Sequence, residues 1–245
     1  MLRDVSSTIR ERKCITVLNS KGGCGKSMLA TNLAAFYAKS GYNTALVDFD
    51  PQGTSIHWLK LRGEEKKAIH GIDASQIPIN VTRSFYMRMP PTIERVVIDT
   101  PAAVKGAELQ EFIQQADNII LPVLPSKGDI HAVAHFIETL LLDIKIKTYN
   151  AKVCVVANRV RRNTKILKTL ENFLTHIKFP FVSSFRETQN YIHAAQEGLG
   201  VCEMRPPSRF AKDLAQWQTL LDWLEEGPAI EIDNILSSSF STSKN

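Results

Sequence analysis

Nine residues near the start of the 245-residue chain, Asn19-Ser20-Lys21-Gly22-Gly23-Cys24-Gly25-Lys26-Ser27, combine the groups needed to hold a polyphosphate. Glycines at 22, 23 and 25 let successive backbone N–H groups turn inward and form a nest for phosphate oxygens. A helix beginning near Ser27 adds the positive end of its dipole. Lys26 has the reach for β- and γ-phosphates, and the Ser27 hydroxyl is placed to ligate Mg²⁺. A glycine-rich turn without a ligand is the bland alternative. The match between an apolar run and a helix-length segment weighs against it. Two carboxylate motifs follow, Leu46-Val47-Asp48-Phe49-Asp50-Pro51-Gln52-Gly53 and Val96-Val97-Ile98-Asp99-Thr100-Pro101. Asp99 at the end of an apolar strand fits the shell of a nucleotide-bound Mg²⁺. Alone, Asp48 and Asp50 read better as caps of the helix that follows.

These residues must be positioned by alternating elements. Short apolar runs at Cys14–Leu18, Thr44–Val47, Arg95–Ile98, Asn118–Val123, Ala151–Ala157 and Phe179–Val182 fit strands. Several are too uniformly apolar for a half-exposed strand, as expected of a parallel sheet covered on both faces. Helices are expected at Ser27–Lys39, Thr54–Leu61, Ala107–Gln115, Asp129–Asp143, Thr164–His176, Glu187–Glu197 and Ser208–Glu226. The fold class is therefore α/β, a single doubly wound, mostly parallel sheet flanked by helices. Residues 13–226 form one expected domain. A polar lead (1–12) precedes it, and a serine-rich, disordered tail (227–245) follows. The stretch from Gly63 to Pro91 is weakly patterned, and its Met87-Arg88-Met89-Pro90-Pro91 end reads as loop.

Lys21, ahead of the glycine pair, is not demanded by an ordinary phosphate loop. Here the sequence resembles the ParA/MinD group of ATPases, whose deviant Walker A motif is Lys-Gly-Gly-x-Gly-Lys-Ser/Thr. The resemblance extends over roughly residues 13–226. It includes Asp48-Phe49-Asp50-Pro51-Gln52, Leu121-Pro122-Val123-Leu124-Pro125-Ser126 and Ala157-Asn158-Arg159. It implies ATP and Mg²⁺ as cofactors and slow hydrolysis of ATP. Lys21 would cross to a partner subunit's nucleotide, a cation supplied in trans like an arginine finger. It further implies a catalytic role for Asp50, a supporting metal shell from Asp48, and adenine recognition by Asn158. Two positions depart from the pattern. Met28 stands where many members have a hydroxyl, removing a contact to the α-phosphate. Cys24 replaces a more usual aliphatic residue and is expected to pack.

The formal charge of +5, from 30 Lys+Arg and 25 Asp+Glu, is unevenly distributed. Between Lys145 and Arg186 lie ten basic residues and one acidic residue, Glu171, a local charge of +9. Arg161, Lys165 and Lys168 recur at helical spacing, with Arg162 and Arg186 completing the candidate surface. A solvated helix face would explain the run alone. Within a ParA-like chain, it suggests salt-sensitive contact with DNA phosphates.

No apolar run reaches the roughly 18–20 residues of a bilayer span. The polar start lacks a secretory h-region. Cys14, Cys24, Cys154 and Cys202 lack the spacing of a disulfide framework, zinc site or iron–sulfur relative. The segment Pro228–Leu236 is acidic rather than basic, which disfavours anionic lipid. The resemblance thus implies a cytoplasmic, nucleoid-associated homodimer formed on ATP, with a ParB-like or cargo-adaptor partner and no membrane. A MinD-like membrane-associated positioning ATPase, a metabolic P-loop enzyme and a non-hydrolysing scaffold are the competing classes.

Overall fold

The structure is a computed structural model and describes residues 12–76, 89–161 and 164–226. Seven parallel strands form one sheet in the order β3-β2-β4-β1-β5-β6-β7. They are β1 (Lys13–Val17), β2 (Thr44–Asp48), β3 (Ile69–Asp73), β4 (Arg95–Asp99), β5 (Asn118–Val123), β6 (Lys152–Val160) and β7 (Phe181–Arg186). Among the described residues the helices are α1 (Lys26–Lys39), α2 (Thr54–Leu61), α3 (Gly106–Gln114), α4 (Lys127–Leu142), α5 (Lys165–His176), α6 (Asn190–Gln196) and α7 (Ala211–Glu226).

Alternate strand residues point to opposite layers. Val47, Ile98, Leu121 and Val155 join the core beneath α3, α4 and α5. Their neighbours Leu46, Val97, Ile120 and Val156 join the core beneath α1, α2 and α7. Burial on both faces explains the uniformly apolar runs of β2, β4 and β5. Among the described residues, no helix is long and apolar enough to cross a membrane.

The sheet differs from expectation at its edges. Strand β3 falls in the weakly patterned stretch, outside every expected strand, and only Ile72 of its five residues is buried. An edge strand has one neighbour and little apolar demand, so its pattern is weak. Strand β7 runs Phe181–Arg186 rather than ending at Val182, because Ser183 and Phe185 supply its buried face. Helix α6 starts at Asn190 instead of Glu187, and α7 is preceded by a 3₁₀ turn over Pro207–Phe210. The expected lead and tail fall outside the described residues, apart from Arg12.

Helix α7 is fastened to the foot of the sheet by Glu225. Its carboxylate pairs with Arg95 at 2.9 Å and Lys13 at 3.3 Å and accepts the Tyr37 hydroxyl at 3.0 Å. Burial pushes this carboxyl up, but Arg95, Lys13 and Tyr37 together hold it below the usual range. A carboxyl depressed in the folded state stabilises the fold above its unfolded pKa and loses that contribution as pH falls through the folded value. Glu225→Gln should therefore cost about 1 kcal/mol at pH 7, discounted for partial exposure. In urea unfolding, the gap between the two proteins should shrink as pH falls below about 4. A gap independent of pH would show that the ion pairs are not its source.

Candidate functional site

The phosphate loop leaves β1, at the centre of the sheet, and turns into α1. Asn19 anchors it. Its carboxamide donates to the Pro122 carbonyl at the end of β5 and accepts the Lys21 N–H at 3.1 Å. Gly25 caps α1 in the left-handed region at φ +97°, where no side chain contributes a cap. A Cβ there would come 2.0 Å from Asn158 Nδ2, so glycine is required by both conformation and space. Asn158 Nδ2 donates to the Cys24 carbonyl at 2.8 Å, and its Oδ1 accepts the Arg159 N–H. The expected base-reading carboxamide is thus bound to the loop itself.

The two lysines of the loop have different surroundings. Lys26 is buried, and its Nζ donates to the Lys21 carbonyl across the loop at 3.3 Å. Lys21 is 42% exposed and pairs with Asp129 of α4 at 3.1 Å. Asp129 also accepts from Ser126 Oγ and donates its own N–H to that cap at 3.1 Å. The Ser-x-x-Asp spacing signals the cap in sequence, but nothing in it signals the pairing with Lys21. Cys24 is buried with its thiol on the Lys21 carbonyl. Burial pushes that thiol up, against the pull of Lys26, so it packs as a protonated group.

The three carboxylates separate by role. Asp48 and Asp99 are fully buried and in register on adjacent strands. Asp48 accepts three backbone N–H groups, from Asp50 at 3.0 Å, Ser55 at 2.9 Å and Ile56 at 3.0 Å. It thereby caps the first turn of α2 from the end of β2. Gly53, the N-cap itself, offers no side chain. Asp99 accepts the Ser55 hydroxyl through Oδ2 at 2.7 Å, while its Oδ1 is buried without a hydrogen-bond partner. Burial raises its carboxyl to about 7, against the lowering influence of Ser27 and Ser55. Asp50 is half-buried on the loop beyond β2 and accepts the Gln52 N–H at 2.9 Å.

These residues fit Mg²⁺. Among the described residues, no group of three or more His, Cys, Asp or Glu side chains could hold a metal unaided. Magnesium, however, is commonly held by one or two protein oxygens together with substrate phosphates and water. The unpartnered Asp99 oxygen and the Ser27 hydroxyl supply that minimum.

A cleft of about 790 Å³ opens from Gly25, Ser27 and Met28 to Asn158, Arg159 and Gln189. Thr188 and Gln189, beyond β7, line it without a motif that could have signalled them. Strand β6 pairs irregularly with β7 between Ala157 and Val160, and Arg159 takes φ +51°. Strain of this kind gathers at sites where a side chain must be re-aimed.

The candidate DNA-binding residues do not form one group. Lys165 and Lys168 are exposed on α5, opposite the buried Leu170 and Leu174. Arg161 precedes that helix, largely exposed and paired with Glu187. Arg186 is drawn inward. It pairs with fully buried Asp213 through Nε at 2.6 Å and Nη2 at 2.9 Å, and it lines the cleft. Arg162 lies outside the described residues.

Comparison with known proteins agrees with this geometry. The profile described as "CbiA: CobQ/CobB/MinD/ParA nucleotide binding domain" matches residues 15–201. Maintenance of carboxysome distribution protein A of Halothiobacillus neapolitanus is 28% identical, over 81% of this chain and 91% of its own length. Cell division protein PomZ of Myxococcus xanthus is 26% identical, over 84% and 75% respectively. The solved ATP complex of a Cyanothece McdA variant shares the fold at a TM-score of 0.66 and 15% identity, covering 86% of this chain and 96% of that one. With the matched profile spanning most of its length and the phosphate loop at its centre, this chain belongs to the CobQ/CobB/MinD/ParA nucleotide-binding family.

Proposed function

We propose that the protein is an ATP-driven positioning ATPase of the ParA type. The observation that carries this reading is the division between the two loop lysines. Lys26 is buried within its own phosphate loop, whereas Lys21 stands at the surface, held by an ion pair it can exchange. A surface cation beside a nucleotide site suits service to a second copy of the chain. ATP occupies the cleft, with Lys26 on the phosphates and Ser27 and Asp99 holding Mg²⁺, which neutralises charge on the transferred phosphoryl group. Asp50 orients the attacking water.

Two subunits close over their nucleotides, and a ParB-like or adaptor protein stimulates hydrolysis and reopens them. The dimer holds nonspecific DNA through the face carrying Arg161, Lys165 and Lys168. The protein is accordingly cytoplasmic and nucleoid-associated. The names of its relatives refer to carboxysome distribution and cell division, which supports a cargo-positioning role and leaves cargo identity to the adaptor.

The test is duplex DNA binding by the purified chain with ATP and Mg²⁺, across a salt series. Binding should require ATP and weaken steeply as salt rises. Reversing Arg161, Lys165 and Lys168 to glutamate should reduce the salt slope by about one per lost phosphate contact. Dimerisation, followed by sedimentation velocity, should be unchanged. ATP-dependent binding to anionic vesicles with no affinity for DNA would instead support the MinD-like reading. Turnover of a small metabolite by the monomer would place the protein among the metabolic relatives.

A further inference from the structure

Two carboxylates on neighbouring strands, Asp48 and Asp99, are both fully buried and face each other in register. Two like charges so placed repel strongly unless polar groups stand between them. One residue supplies those groups to both. Ser55 donates its backbone N–H to Asp48 at 2.9 Å and its hydroxyl to Asp99 at 2.7 Å, and it is itself fully buried. The two bonds come from different parts of the residue, so they can be separated experimentally.

We propose that Ser55 is a positioning residue for Mg²⁺, acting through Asp99. The inference rests on the reading of Ser27 and Asp99 as the metal-holding pair. The Ser55 hydroxyl occupies Asp99 Oδ2 and fixes the carboxylate plane. The only oxygen then left to face a cation is Oδ1, which is buried and without a hydrogen-bond partner. Without that hydroxyl, either oxygen could turn to the metal. Both would be buried beside Asp48 with fewer donors, and the orientation would no longer be defined.

Ser55 also lies on the first turn of α2, five residues beyond Asp50. Bonds to metal-holding groups of this kind are worth about 10–100-fold in metal affinity.

The experiment is a Mg²⁺ titration of ATP binding, read by a fluorescent label on the ribose, in wild type, Ser55→Ala and Ser55→Thr. Ser55→Ala keeps the backbone bond to Asp48, so α2 stays capped and affinity for labelled ATP in EDTA should match wild type. The Mg²⁺ concentration at half-effect should rise by about 10-fold or more. Ser55→Thr, which retains the hydroxyl, should bring it back toward the wild-type value. Should Ser55→Ala fail to fold, Ser55→Cys provides similar volume with a weak donor and should show the same rise.

An unchanged half-effect concentration in folded Ser55→Ala overturns the role of Ser55 and leaves the nucleotide site intact. Equal loss of affinity with and without Mg²⁺ also overturns it, since a merely structural role would act that way. A wild-type chain whose nucleotide binding ignores Mg²⁺ overturns the metal site and this inference together.

Discussion

Alanine at Gly25 should leave a folded protein that no longer holds nucleotide. Two costs fall on the same methyl group. A non-glycine residue at φ +97° is strained by about 1–2 kcal/mol. The added Cβ would also lie 2.0 Å from Asn158 Nδ2, forcing the carboxamide away from the Cys24 carbonyl it bonds at 2.8 Å. A buried polar pair broken without replacement costs about 1–3 kcal/mol more. The displaced groups are the turn that aims N–H donors at the phosphates and the residue lining the far wall of the cleft, so binding should suffer with stability. We expect affinity for Mg-ATP to fall at least ~100-fold, equivalent to about 3 kcal/mol, as measured by calorimetry. Gly23→Ala is the control. Its φ is +74°, but nothing lies within 4 Å of the added Cβ, so strain acts alone and the loss should be far smaller. Equal effects of the two substitutions would show that backbone strain, and not the Asn158 contact, governs the loop.

Lys21→Ala should have the opposite profile, preserving nucleotide binding while abolishing stimulated hydrolysis. In a single chain the Lys21 ammonium pairs with Asp129 at 3.1 Å, and the cation within its own loop is Lys26. Removing Lys21 therefore deletes no buried contact, and an ion pair of this exposure contributes at most about 1 kcal/mol to stability. If Lys21 serves the partner's nucleotide, its loss removes a cation supplied in trans to the transferred phosphoryl. Such cations are worth about 10³–10⁵ in rate. Single-turnover hydrolysis should fall by about that factor, while the equilibrium affinity of the monomer for ATP stays within a few-fold of wild type. Asp129→Asn, which releases Lys21 without removing it, should not reduce the rate. A Lys21→Ala protein that hydrolyses at the wild-type rate would remove the crossing lysine from the mechanism.

The centre of the fold was legible and its margins were not, for a physical reason. Strands β2, β4 and β5 are buried on both faces, so the middle of each reads as an apolar run. The glycine pattern between β1 and α1 is required by backbone geometry and could hardly be spelled otherwise. Strand β3, with Ile72 as its one buried residue, carries almost no such demand. Site residues divide the same way. Lys26, Ser27 and Asp99 follow from local spacing. Asp48 has the same appearance in sequence as Asp99, and only the three N–H groups converging on it mark it as a cap. Arg186 counted as one basic residue among ten, and its partner Asp213 lies 27 residues away in the chain. Ser55 carried no signal, because what distinguishes it is two carboxylates meeting from two strands.

The strand order has a consequence for how the molecule comes apart. Strand β1 is fourth of seven, with three strands on either side of it. Edges fray first and central strands exchange their amides last. The loop that grips the phosphates is therefore rooted in the part of the molecule with the longest lifetime. The parts that must respond, the Asp50 loop after β2 and the basic helix after β6, each sit two strands further out. A protease or unfoldase pulling from either edge would strip away the surfaces that read the nucleotide before reaching the grip itself. Because Asn158 and Gln189 on the β6–β7 side also wall the cleft, loss of that edge would release the ligand while the phosphate loop still stood.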